Sequence, residues 1–186
     1  PFAHRPRLAW ATADPKVAFM MPGQAQGAAC QRKAFMKNSV VVAGVGMVPF
    51  AKPSVAQPYP VMASDAVRLA LQDAGLGYAD VQQAYVGYVY GDSTAGQRAL
   101  YEVGMTGIPI VNVNNNCSTG SSALYLARQA VESGMVECAI ALGFEQMQPG
   151  ALKGAWDDRP SPMTRFAEAM TAHQGYEPAA PRAAQF

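Results

Sequence analysis

The residues best suited to covalent chemistry gather around Cys117, in the stretch IPIVNVNNNCSTGSSALYLARQAVESG (residues 108–134). A cysteine that attacks a carbonyl needs a stabilised thiolate and donors for the oxyanion that forms. Both needs are met at the start of a helix, where unpaired backbone N–H groups carry partial positive charge. The small run Ser118, Thr119, Gly120, Ser121, Ser122 leaves room for close approach by backbone or substrate. The competing reading is a buried cysteine used as a small apolar residue.

The flanking pattern predicts the elements that position Cys117. Residues 108–113 are apolar and rich in β-branched side chains, as expected of a buried strand. Asn114, Asn115 and Asn116 favour a turn, since their side chains bond nearby backbone groups and tolerate left-handed conformations. From Ser118 a helix is expected, with Ala123, Leu124, Ala127, Ala130 and Val131 near one face and Gly134 as its stop. Cys117 then sits at the hinge between strand and helix.

Composition narrows the function classes. The chain has 186 residues, half of them hydrophobic and 15% charged, enough for a substantial core. Three widely spaced cysteines, Cys30, Cys117 and Cys138, make neither a disulfide framework nor a zinc pattern, and a reducing compartment fits best. His4 and His173 are the two histidines, so a His/Cys metal centre is not expected. No apolar run approaches the ~20 residues that span a bilayer. In residues 1–35, Arg5, Arg7, Lys16, Arg32 and Lys33 face only Asp14, leaving +4; the whole chain carries +1, so the remainder carries −3. A mildly acidic body gives no electrostatic case for nucleic acid.

Residues 1–35 begin without Met and show no sustained period of 2 or 3.6. They read either as a basic targeting segment or as sequence upstream of a natural start at Met36. The absence of Ser and of an amphipathic helix favours the second. Residues 40–45 read as a first strand. Gly44 and Gly46 follow as Gly-x-Gly, but a dinucleotide fingerprint wants a third Gly where Pro49 stands, so they are assigned to a turn or tight packing. After a proline-rich connection over 53–60, Ala63, Ala66, Val67, Ala70, Leu71 and Ala74 mark a helix that Gly75 and Gly77 end. Residues 85–90 read as a second strand, broken by Gly91, Asp92, Ser93 and Thr94, and 97–103 as a short helix on which Arg98 is a solvated or paired charge. Residues 138–142 form another strand, with Cys138 mid-strand in a packing role and Glu145 and Met147 at its exit. Prolines punctuate the remainder, with one helix over 164–173. Strands alternating with helices, without an internal repeat, imply a mainly parallel sheet covered on both faces.

The segments VVVAGVGMVPF, YVYGDSTAGQRALYEVGMTGIPIVNVNNNCSTGSSALYLARQ and ECAIALGFEQM resemble the thiolase superfamily, and within it the sterol-carrier-protein-type branch. The resemblance covers roughly residues 37–186. It implies an α/β fold, the N-terminal half of the thiolase fold, with a mixed, mostly parallel sheet covered by helices and the beginning of a loop domain. It divides the chain into a non-homologous leader (1–35), a thiolase N-terminal domain (36–148) and a truncated start of the loop domain (149–186). It makes Cys117 the acyl-accepting nucleophile, its own N–H part of an oxyanion hole. The implied reaction is thiolysis of a 3-oxoacyl-CoA to acyl-CoA plus acetyl-CoA or propanoyl-CoA. Coenzyme A is then a substrate, with no bound cofactor and no metal, and positions for CoA contacts are not assigned.

In the resembled family the activating His, a second acid/base residue and further oxyanion donors come from a C-terminal half outside these residues. The chain alone is therefore expected not to turn over, and His173 receives no catalytic role. The resemblance also implies an acyl-CoA substrate, a homodimer in the full-length enzyme, no nucleic acid and no membrane span. It places a bacterial protein in the cytoplasm and a eukaryotic one in the peroxisome. Two other readings stay open: a condensing enzyme of the same superfold, and a non-catalytic module for acyl-CoA or lipid binding or for dimerisation.

Overall fold

The structure is a computed structural model and describes residues 8–10, 18–20, 39–148 and 158–175. The chain divides into two compact units, Pro1–Met36 and Lys37–Phe186. In the first, β1 (Leu8–Trp10) pairs antiparallel with β2 (Ala18–Met20). The expectation that residues 1–35 form no part of the fold falls mostly outside the described residues.

The second unit is built on three parallel strands, β3 (Gln83–Gly87), β4 (Ile110–Val113) and β5 (Ala139–Gly143), in the order β4-β3-β5. Tyr85 lies opposite Val111 on one side and Ala141 on the other. Helices α1 (Tyr59–Ala74), α2 (Ala95–Tyr101), α3 (Thr119–Glu132) and α4 (Thr164–Gln174) and a short 3-10 helix at Tyr78–Asp80 complete the described elements. No helix among the described residues is long and apolar enough to cross a membrane.

Strand alternation sends the two faces of β3 into two cores. Ala84 and Val86 join Ala63, Val67, Ala99, Leu100, Leu142 and Phe144 on the α1–α2 side. Tyr85 joins Ala123, Ala127 and Ala130 of α3 on the other. Coverage on both faces is what a parallel sheet requires. Leu100, Val67 and Val86 are fully buried; removing a side chain the size of Leu100 from water contributes about 1.5–3 kcal/mol.

Helix α1 has two contact lines. Ala63 and Val67 face the sheet, and Gly44 and Gly46 lie against the neighbouring Ala66, Ala70 and Ala74. A Cβ on Gly46 would fall 2.2 Å from the Ala66 carbonyl oxygen, so tight packing is the role of this Gly-x-Gly pair. Pro60 lies in the first turn of α1, where its missing N–H costs nothing. Gly75 ends the helix at φ 68°, and the N–H groups of Gly75 and Leu76 close on the carbonyls of Gln72 and Leu71.

Several expectations are corrected. Residues 40–45 are not a strand: the segment has no ladder partner among the described residues, and Val41, Val42 and Val45 are exposed. β-branched residues suit a strand, but the neighbouring backbone makes one. The second strand is Gln83–Gly87 rather than 85–90, because ladder pairing ends at Gly87 and the chain bends from Val89. The strand before Cys117 is Ile110–Val113, and it is the edge of the described sheet, with Val111 exposed. Cys138 precedes β5 instead of lying within it, and it is half-buried. Leu124 is 56% exposed, since the contact line of α3 runs through Thr119, Ala123, Ala127 and Ala130. The short helix begins at Ala95, and the helix of the Pro-rich region is Thr164–Gln174 with no buried residue; residues 149–157 and 176–186 lie outside the described residues.

Candidate functional site

The three parallel strands finish in register, with Gly87 opposite both Val113 and Gly143. Their exits therefore share one end of the sheet, the end outside which open parallel sheets bind ligands. There the chain leaves β4 through Asn114–Cys117 and turns into α3.

The turn is held by its own side chains. Asn116 N–H donates to Asn114 Oδ1 at 3.2 Å, and Asn116 adopts φ 50°, a left-handed conformation that Asn tolerates. Ser118 donates twice to the Asn115 carbonyl, from N–H at 3.1 Å and from Oγ at 2.8 Å. Asn115 Nδ2 reaches Ser122 Oγ at 2.8 Å. Thr119, only 7% exposed, donates from Oγ1 to the Val113 carbonyl at 2.6 Å and accepts the Asn115 N–H at 3.1 Å. One hydroxyl thus ties the last residue of β4, the turn and the first residue of α3.

Cys117 is exposed at the crest of this turn, its Sγ 3.9 Å from Asn116 Oδ1. The bland reading of a buried packing residue does not describe it. The first helical bond runs from Ser122 N–H to the Ser118 carbonyl at 2.9 Å. The N–H groups of Gly120 and Ser121 precede it, in the turn that carries positive partial charge.

Gly87 sets how closely α3 meets the sheet. A Cβ there would lie 2.6 Å from the Thr119 carbonyl oxygen and 3.0 Å from Gly120 N, so only glycine lets the first turn of α3 rest on β3. The exit of β5 clamps the exit of β3: Glu145 accepts the N–H groups of Val89 at 3.1 Å and Tyr90 at 2.9 Å. Phe144 stacks on Tyr59 and Tyr88, with centroids 4.9 and 5.1 Å apart. Beside these exits is an open hollow of about 200 Å³ lined by Tyr88, Val89, Gly91, Ser93, Asn112, Val113 and Asn114. It adjoins the turn at Asn114 and does not include Cys117. Asn112 on its wall accepts the Gly96 N–H at 2.9 Å and donates to Gln97 Oε1 at 2.7 Å, which fixes α2 to β4.

The other singled-out residues lie elsewhere. Cys138 is at the opposite end of the sheet, where its N–H and carbonyl bond Gln82 at 3.3 and 3.0 Å. Burial pushes its thiol up, and the Asp80 carboxylate adds to the rise. Arg98 pairs with Glu102 on the surface of α2, as its reading expected. His173 is exposed on α4. No three His, Cys, Asp or Glu side chains among the described residues converge to hold a metal ion. Sequence reasoning missed Thr119 as a tie and Gly87 as a contact. A Thr three residues after an Asn run is a usable signal for the first, given its habit of bonding local backbone; the second depends on which helix crosses the strand.

The family description "Thiolase, N-terminal domain" matches residues 40–171. The chain is 54% identical over 144 residues to Sterol carrier protein 2 of Gallus gallus, covering 76% of this chain and 26% of that protein. It is 49% identical over 148 residues to Sterol carrier protein 2 of Homo sapiens, covering 77% and 27%. It is 35% identical over 112 residues to Benzoylsuccinyl-CoA thiolase subunit BbsB of Thauera aromatica, covering 59% and 29%. The chain thus spans about a quarter of the length of the sterol carrier proteins it matches. With Cys117 in a tied turn ahead of α3 and a family match running across the whole parallel sheet, this chain belongs to the thiolase family.

Proposed function

We propose that the chain carries the acyl-accepting cysteine of an acyl-CoA acyltransferase, with Cys117 as the nucleophile. The observation that carries the reading is the placement of Cys117: exposed, at the carboxyl end of a parallel strand, directly before the first turn of α3. The thiolate of Cys117 attacks the 3-keto carbon of a 3-oxoacyl-CoA. The C2–C3 bond breaks, the acyl group stays on sulfur as a thioester, and the departing CoA enolate takes a proton. CoA then attacks the thioester and frees the acyl-CoA. The first turn of α3 is suited to hold the developing oxyanion. The base that activates sulfur and the donor that protonates the enolate belong, in this reading, to the longer protein.

A direct test is half of the reaction. An acyl-CoA incubated with the 186-residue chain exchanges thioester for thiol, giving acyl-Cys117 and free CoA. Peptide mapping should find the acyl mass on Cys117 ahead of Cys138. Acylation of Cys138 in preference to Cys117 overturns the assignment. The name of the sterol carrier relatives supports a second reading, a non-catalytic lipid-binding piece. That reading expects reversible association of acyl-CoA that survives Cys117→Ala.

A further inference from the structure

We infer that Thr119 is a positioning residue for Cys117, a role that rests on the reading of Cys117 as the nucleophile. Thr119 is one of two buried polar residues among those described, and its hydroxyl is bonded on both sides. It donates to Val113, which ends β4, and accepts from Asn115, two residues before the cysteine. Its backbone is pressed onto Gly87 of the central strand. The strand end, the turn and the helix start therefore share one pivot anchored in the sheet.

The Cys117 side chain has no comparable anchor among the described residues: its Sγ has the 3.9 Å approach to Asn116 Oδ1. The sulfur takes its place from the turn, and of the side chains that hold the turn Thr119 is the one that also bonds the end of β4. A helix terminus favours a charge only within its first turn, so a turn that drifts loses the benefit even though the helix persists. Removing the hydroxyl leaves the Asn115 N–H without its partner and the Val113 carbonyl with the Tyr88 N–H at 3.3 Å alone, and it unties the turn from the end of β4. The hydroxyl is needed, whereas the methyl group only fills space. Serine can therefore replace threonine, and valine, its apolar isostere, cannot.

The test follows carbamidomethylation of Cys117 and Cys138 by iodoacetamide in the 186-residue chain across a pH series, for wild type, Thr119→Ser and Thr119→Val. Each is held below its own melting temperature. Thr119→Val should slow Cys117 about two- to fivefold, the range a helix terminus gives a charge held beside it. The rate at Cys138 should stay within about twofold. Thr119→Ser should return the Cys117 rate to wild type. Since Thr119→Val can unfold the chain, Thr119→Ser decides alone in that event: a wild-type profile supports the role and a slowed one overturns it. An unchanged Cys117 profile in folded Thr119→Val also overturns it. If wild-type Cys117 does not outpace Cys138, the nucleophile reading fails and this role falls with it.

Discussion

The two ends of the parallel sheet each present a cysteine, and the ends differ in almost every respect that governs reactivity. Cys117 leaves β4 at the carboxyl end, exposed, in a turn tied by Thr119 and followed by α3. Cys138 precedes β5 at the amino end, half-buried, with its backbone bonded to Gln82 and its thiol pushed up by burial and by Asp80. The side-chain chemistry is the same. What differs is the end of the strand: Cys117 follows β4 and leads into the first turn of α3, whereas Cys138 precedes β5.

The largest test of this contrast is Cys117→Ala. It should abolish acyl capture from an acyl-CoA while the melting temperature stays within a few degrees, because an exposed side chain is removed. Capture by Cys138 at the wild-type rate would erase the difference between the two ends.

Next in size is Gly87→Ala. A Cβ 2.6 Å from the Thr119 carbonyl oxygen must push α3 off the sheet. Overpacking of this kind costs about 1–3 kcal/mol, or roughly 2–4 °C of melting temperature per kcal/mol. Calorimetry should show that loss, together with a slower Cys117. An unchanged melting temperature means that α3 does not rest on Gly87.

The pH profiles come third. The raised Cys138 thiol holds its proton to a higher pH than an ordinary cysteine, so its alkylation should still be climbing where a free thiol has levelled off. A Cys138 profile at or below that of free cysteine contradicts the burial described. The smallest effect belongs to Asp80→Asn. Losing the carboxylate lowers the Cys138 thiol and speeds its labelling at a fixed pH, about twofold or less because burial is the larger cause. Asn can still accept the Gly77 N–H that Asp80 holds at 2.8 Å. A slower Cys138 would reverse the expected sign.

The turn, the helix and the hinge position of Cys117 were legible in the sequence, because each rests on local chemistry. Three asparagines favour a turn through their own side chains, and small residues followed by alanines at helical spacing make a helix that can lie close to a sheet. Gly44 and Gly46 were legible as serving a turn or tight packing once Pro49 stood where a third glycine was needed, and their contact with α1 decides for packing. Arg98 was legible as a surface charge, four residues from Glu102.

Tertiary structure alone decided what depends on neighbours distant in sequence. Residues 40–45 and 110–113 are both rich in β-branched residues, yet only the second lies beside β3 and becomes a strand. Leu124 fits an apolar face by spacing, but the line through Ala123, Ala127 and Ala130 meets Tyr85, and Leu124 falls outside it. Gly87 and Thr119 are 32 positions apart and touch because β3 is central and α3 crosses it. Local propensities reach a few residues along the chain. Ladder partners, faces and close contacts are set by which surfaces are buried together, and that is fixed only when the whole sheet has formed.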